Sequence, residues 1–253
     1  MEKLYKRPGA LLPLPSGYCP GCMHSTVAKV IADALQQLGQ EENTIMVLPV
    51  GCSTMSVLYY KLDMVVSAHG RAPAVATGVK ATRPEQLVIT YQGDGDLAAI
   101  GLAEIMSAAN RGEHFTTIFV NNSIYGMTGG QMAPTTLIGQ KSTTSIYGRD
   151  PSMGYPMHMA ELIASLEAPY YVERCAVNTP SRVVKATASV KKALQYQLEG
   201  RGFSFIEVLS NCPTNWGMSP VDTLDFIENT TSKEFSLGVL RDRGKEAAQE
   251  VAQ

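Results

Sequence analysis

A chain of 253 residues with 45% hydrophobic and 17% charged residues is that of a folded globular protein, and its modest share of charge suggests a surface partly covered by another chain. A formal net charge of −2 and a pI near 6.1, with no basic run longer than Lys191-Lys192, exclude an electrostatic footprint for nucleic acid or an anionic membrane. No signal-peptide core opens the chain and no stretch reaches about 18 uninterrupted apolar residues, so a soluble cytoplasmic protein is expected, in which, of the five cysteines, those at special spacings serve as metal ligands or redox groups and not as disulfides.

The first marked stretch is YCPGCMH (18–24), which sets Cys19 and Cys22 three apart around Pro20-Gly21. That spacing suits a zinc knuckle, a thioredoxin-like dithiol or an iron–sulfur site. Apolar periodicity then predicts a helix over 25–38, with Val27, Ile31, Ala34, Leu35 and Leu38 on one face and Ser25 or Thr26 as its cap. Strands are predicted at 44–49, 86–91, 116–121, 170–173 and 204–209, and further helices at 97–110, 157–165 and 180–197. No repeat or Gly/Ser linker divides the chain, so one domain over 1–253 is expected, with its core at about 17–220 and a C-terminal segment, 221–253, packing on a partner. β-rich runs alternating with helices predict an α/β fold: a mostly parallel sheet with helices on both faces and ligands outside the carboxyl ends of the strands.

Gly93-Asp94-Gly95-Asp96 joins the strand at 86–91 to the helix at 97–110, a junction suited to a phosphate. Gly93, Gly95 and Ala98 also satisfy the dinucleotide pattern G-x-G-x-x-[G/A]. Against that reading, Asp94 would repel a bare pyrophosphate, and the next strand ends in Asn121-Asn122 where a ribose-binding acid would stand. A divalent cation between protein and pyrophosphate removes both objections. Magnesium takes one or two side-chain oxygens and completes its shell with phosphate and water. One right-handed crossover brings the ends of neighbouring strands to ~5 Å from each other. Asp94, Asn122 and a carbonyl just beyond, such as that of Ile124, are the candidate Mg2+ ligands.

GDGDLAAIGLAEIMSAANRGEHFTTIFVNN followed by SIYGMTGGQMAPTT resembles the thiamine-diphosphate fingerprint. Together with YCPGCMH, AHGRAPAVATG and SNCPTNWG it resembles the thiamine-binding β subunit of the 2-oxoacid:ferredoxin oxidoreductases, of the 2-oxoglutarate or 2-oxoisovalerate type, over about residues 17–220. The resemblance implies a pyrophosphate-domain fold holding thiamine diphosphate and Mg2+, with Val50, Gly51, Cys52, Ser53, Gly95, Asp96, Gly126 and Met127 around the cofactor. It implies one [4Fe–4S] cluster on Cys19, Cys22, Cys52 and Cys212. An enzyme that removes electrons singly needs such a carrier, and zinc has no redox chemistry.

The implied reaction converts a 2-oxoacid and coenzyme A to acyl-CoA, CO2 and reduced ferredoxin. The implied partners are an α subunit, which should supply the cofactor-activating glutamate, and γ and δ subunits. Glu104 and Glu113 fall on the crossover helix or its exit, away from the strand ends. His69 and Arg71 are candidates for substrate, cofactor or partner contact, and His24 for orienting cluster or cofactor. Met23 stands where the family's CPGCGH has glycine. Met127 offers an apolar wall to a branched side chain, whereas Lys141, Arg149 or the partner would have to meet a second carboxylate. Cys175 reads as a buried structural thiol. The alternatives are a non-oxidative thiamine-dependent decarboxylase or carboligase, and a zinc-stabilised binding subunit.

Overall fold

The computed structural model describes residues 6–245. Their strands form one sheet, β1 (Thr44–Leu48), β2 (Asp63–Val66), β3 (Leu87–Gly93), β4 (Thr116–Asn121), β5 (Tyr171–Ala176), β6 (Ser204–Leu209) and β7 (Gly238–Asp242), in the order β2-β1-β3-β4-β6-β5-β7. All pairings are parallel except β5 with β7. The central strands β4 and β6 are buried at every residue, as a sheet covered on both faces requires. One face packs on α1 (His24–Leu38) and α5 (Pro180–Leu198). The other packs on α2 (Ala72–Thr82), α3 (Leu102–Asn110) and α4 (Met159–Ser165). Among the described residues no helix is long and apolar enough to cross a membrane.

The predicted elements are present, with differences that have physical causes. α1 begins at His24, and its N-cap is Met23, not Ser25 or Thr26. The Cys19–Cys22 turn delivers the chain already helical, and Ser25 Oγ donates back to the Cys22 carbonyl at 3.0 Å. Met23 has φ −78°, a conformation open to any residue, so the missing glycine costs nothing here. The helix expected at 97–110 is interrupted: Gly95–Ile100 form a π-helical turn before α3 begins at Leu102. β2 and α2, over residues 63–82, were not predicted from periodicity. β2 is a short, mostly exposed edge strand, and α2 is a small-residue helix with no continuous apolar stripe. In the tail, β7 pairs with β5 of the same chain, so 238–242 is held within this chain; residues 246–253 lie outside the described ones.

Cys175 lies on β5 and is 6% exposed, and burial pushes its thiol up, as expected of a structural cysteine. Beside it, Arg174 meets Glu207, its register partner on β6, Nε to Oε2 at 3.0 Å, with both side chains fully buried. Glu207 also accepts from Asn121 Nδ2 at 2.8 Å, so the ion pair braces the strand that ends at the site. Arg174→Met would leave Glu207 buried without its counter-charge. The expected loss is about 3–5 kcal/mol of stability, read from denaturant unfolding.

Candidate thiamine diphosphate site

β3 and β4 are neighbours, Gly93 opposite Val120, so the crossover carries Asp94 and Asn122 to the same edge of the sheet. Asp94 is 2% exposed. Its Oδ1 accepts from Gly95 N at 2.8 Å, and its Oδ2 accepts from Thr135 Oγ1 at 2.7 Å and Ile124 N at 3.2 Å. Burial lifts its carboxyl from 3.8 to about 6, although these donors pull it down. Ser123 alone among the described non-glycine residues has positive φ, at 59°. Its left-handed kink turns the Asn122 amide and the Ile124 backbone toward Asp94, and Thr136 Oγ1 secures the kink by donating to the Ser123 carbonyl at 2.6 Å.

One terminal atom of the Asn122 amide lies 2.8 Å from the Ile124 carbonyl oxygen and 3.2 and 3.3 Å from the two Asp94 oxygens. As nitrogen it would donate to them; as oxygen it would share with them one face of a cation shell. In an octahedral shell of radius about 2.0–2.1 Å, adjacent oxygens sit about 2.9 Å apart. The chemistry and spacing of this donor set therefore fit Mg2+.

The cleft over these groups has about 540 Å³ of empty space. Val50 to Ser53, Asp94 to Asp96, Asn122, Ile124, Gly126 and Met127 line it, as do His24 and His69. Arg71 does not; its guanidinium contacts the Glu104 carboxylate outside the cleft. Asp96 is on the wall but engaged: Oδ1 accepts from Gly70 N at 2.6 Å and lies 3.4 Å from His69 Nε2, while Oδ2 accepts from Gln92 Nε2 at 2.6 Å. It thus holds the 69–70 loop against the cleft. His24 is buried and neutral, its pKa lowered to about 4 by burial; Nδ1 meets Tyr91 Oη at 2.5 Å and the ring stacks on Tyr18.

Gly95 has to be glycine, because a β-carbon there would lie 2.2 Å from the Tyr125 ring, whose hydroxyl donates to the Gly95 carbonyl at 3.0 Å. Gly95→Ala must push Tyr125 into the cleft. Strain of about 1–3 kcal/mol should appear as a roughly tenfold to hundredfold loss of thiamine diphosphate affinity by calorimetry.

Four cysteines gather next to this cleft. Cys19 and Cys22 precede α1, Cys52 opens a 3-10 turn (Cys52–Leu58) after β1, and Cys212 precedes the short α6 (Pro213–Trp216) after β6. A β-carbon on Gly126, which is on the cleft wall, would lie 3.3 Å from Cys52 Sγ and 3.6 Å from Cys212 Sγ, so two sulfurs of the quartet sit directly against that wall. Burial, then the neighbouring thiols, push Cys22 to about 11 and Cys52 to about 12, and burial raises Cys212. As thiolates the four would repel one another, which a bound cationic centre reverses. Two asparagines not singled out from sequence organise the quartet. Asn211 accepts from Met23 N at 3.0 Å and donates to Gly21 O at 3.1 Å; Asn215 donates to Gly126 O at 2.8 Å and Cys212 Sγ at 3.2 Å.

Residues 49–208 match the family of thiamine pyrophosphate enzymes at its C-terminal TPP binding domain. A ketoisovalerate oxidoreductase subunit of Methanothermobacter thermautotrophicus is 45% identical over 97% of this chain and 52% of its own, so the chain spans about half of that relative. A 2-oxoglutarate synthase subunit of Methanocaldococcus jannaschii is 38% identical over 86% of this chain and 79% of its own. The solved 2-oxoglutarate:ferredoxin oxidoreductase from Magnetococcus marinus, with 2-oxoglutarate, coenzyme A and succinyl-CoA bound, superposes with a TM-score of 0.77 at 28% identity over 90% of this chain and 74% of that one. With the fold, the cleft and these relatives in agreement, the chain belongs to the thiamine pyrophosphate enzymes and, within them, to the thiamine-diphosphate-binding subunits of the 2-oxoacid:ferredoxin oxidoreductase family.

Proposed function

We propose that this chain is the cofactor subunit of an oxidative 2-oxoacid decarboxylase that forms acyl-CoA and passes electrons to ferredoxin in a reducing cytoplasm. The observation that carries the reading is a buried cluster of the Asp94 carboxylate, the Asn122 amide and the Ile124 carbonyl beside a quartet of thiols. Asp94, Asn122 and the Ile124 carbonyl would hold Mg2+ against the diphosphate; Cys19, Cys22, Cys52 and Cys212 would hold a [4Fe–4S] cluster. Thiamine diphosphate, when bound, supplies the electron sink for decarboxylation. This chain's residues bind the diphosphate end, shape the cleft with Val50 and Met127, and set Cys52 on the wall shared with the thiol quartet.

Among the described residues no three His, Cys, Asp or Glu side chains converge closely enough for a single metal ion. What favours an iron–sulfur cluster over zinc is the reaction, which needs a one-electron carrier, and zinc has no redox chemistry. Glu104 contacts Arg71, and Glu113 accepts from Arg111 at 2.8 Å. With neither on the cleft wall, the activating carboxylate falls to an α subunit, and γ or δ subunits complete the assembly. Among the described residues no lysine or arginine lines the cleft. Arg149 is 5% exposed and spends its guanidinium on the carbonyls of Pro134, Thr136, Gly154 and Tyr155 at 2.6 to 2.8 Å, and Lys141 is not on the wall. This chain therefore favours an apolar, branched 2-oxoacid such as 2-oxoisovalerate over 2-oxoglutarate.

The complex co-purified anaerobically with its companion subunits should contain iron, sulfide and thiamine, and in a substrate panel should show a kcat/KM for 2-oxoisovalerate at least about tenfold above that for 2-oxoglutarate. Thiamine without iron would identify a non-oxidative carboligase. Zinc without thiamine would identify a structural binding subunit, and a preference for 2-oxoglutarate would place a cation of the partner in the cleft.

A further inference from the structure

From the surface beside the thiol quartet we infer the face on which an acidic iron–sulfur carrier docks, an inference that rests on the proposed electron-transfer function. Cys19 is the exposed member of the quartet. Tyr18, directly before it, lines a surface depression formed by the strap at residues 7–16 and the first turns of α1, with Arg7 and Lys29 on its rim. Arg7 is tied down, Nη1 donating to the carbonyls of Leu12 at 2.6 Å and Leu14 at 3.3 Å, which fixes its charge at the surface. Lys29 is exposed and stands one turn beyond Ser25, whose hydroxyl is bonded to Cys22. Leu14 is 49% exposed between them, so the face combines an apolar centre with cationic edges.

The opposite flank has the other sign. α7 (Pro220–Phe226) abuts the cysteine turn, a β-carbon on Gly21 falling 2.4 Å from Pro220 Cβ. It presents Asp222 and Asp225, exposed and forming no ion pair among the described residues. A negatively charged carrier is attracted to the strap flank and repelled by the α7 flank. The field orients it so that its own cluster approaches Cys19.

The test uses the anaerobically purified complex with its companion subunits and an acidic two-cluster ferredoxin as probe, with Kd measured by biolayer interferometry across ionic strength. Lys29→Glu should weaken binding about tenfold at low salt and flatten the salt dependence, and Asp225→Lys should tighten it about threefold. Reduction of methyl viologen, a small carrier that needs no protein dock, should be unchanged in both. An unaltered Kd and salt slope in Lys29→Glu, and again in Lys29→Glu combined with Arg7→Gln, would overturn the assignment. Absence of 2-oxoacid-dependent viologen reduction in the unaltered complex would instead count against the enzymatic reading, while the Kd series still decides the docking face.

Discussion

Asp94→Ala is expected to lower Mg2+-dependent thiamine diphosphate affinity by more than about a hundredfold. Removing a mere hydrogen-bonding neighbour of a metal ligand typically costs about 10–100-fold, and Asp94 is the one anionic group among the proposed ligands. Isothermal calorimetry with and without Mg2+ measures the loss. The absorbance of the proposed iron–sulfur centre should survive, since Asp94 contacts Gly95, Ile124 and Thr135 and no cysteine. Loss of both centres together would make Asp94 a structural aspartate.

The same residue sets a pH dependence for the empty protein. Its carboxyl is raised in the folded state, from 3.8 to about 6, with burial the chief cause. The folded chain therefore holds a proton that the unfolded chain has already released between these two values. Stability contributed by Asp94 is present below about pH 4 and is lost as pH rises toward about 6. Mg2+ with the diphosphate should restore it above pH 6, and Asp94→Asn should abolish that segment of the pH–stability curve in urea titrations.

How much of this was legible in the sequence depended on whether chemistry or geometry carried the signal. A carboxylate between two glycines and an amide pair one crossover later are chemical statements, and they located Asp94 and Asn122 before any contact was known. The Cys-Pro-Gly-Cys spacing likewise marked Cys19 and Cys22, while Cys52 and Cys212 were reached through the family resemblance. What escaped was set by tertiary placement. Thr135 and Thr136 lie on a loop with no periodicity, yet one donates to Asp94 and the other secures the Ser123 kink. Asp96, implied by the resemblance, is on the cleft wall, but nothing in GDGD indicated that its oxygens are directed at Gly70, His69 and Gln92. The π-helical turn at Gly95–Ile100 has the composition of an ordinary alanine-rich helix. Only the approach of Gly70 to Gly101 at its far end, where a β-carbon on Gly101 would meet the Gly70 carbonyl oxygen at 2.6 Å, shows how tightly that segment is held.

The two proposed centres share a wall one residue thick. Cys52 lines the cofactor cleft, and its sulfur and that of Cys212 lie against the same side of Gly126. Such closeness suits single-electron transfer and predicts that cysteine substitutions separate into two classes. Cys22 belongs to the quartet but not to the cleft wall. Cys22→Ala should abolish the broad absorbance at about 400 nm and the iron content, and should cut reduction of a one-electron acceptor by more than about a hundredfold. Thiamine diphosphate affinity should stay within about threefold of the unaltered protein, since no cleft contact is removed. Cys52→Ala should impair both, because it removes a thiol ligand and opens the cleft wall beside Val50 and Ser53. Spectra, iron analysis and calorimetry on the two variants side by side distinguish the cases. Equal loss of cofactor binding in Cys22→Ala would mean that the cluster is a structural strut for the whole edge of the sheet, and that the shared wall is not an electron path.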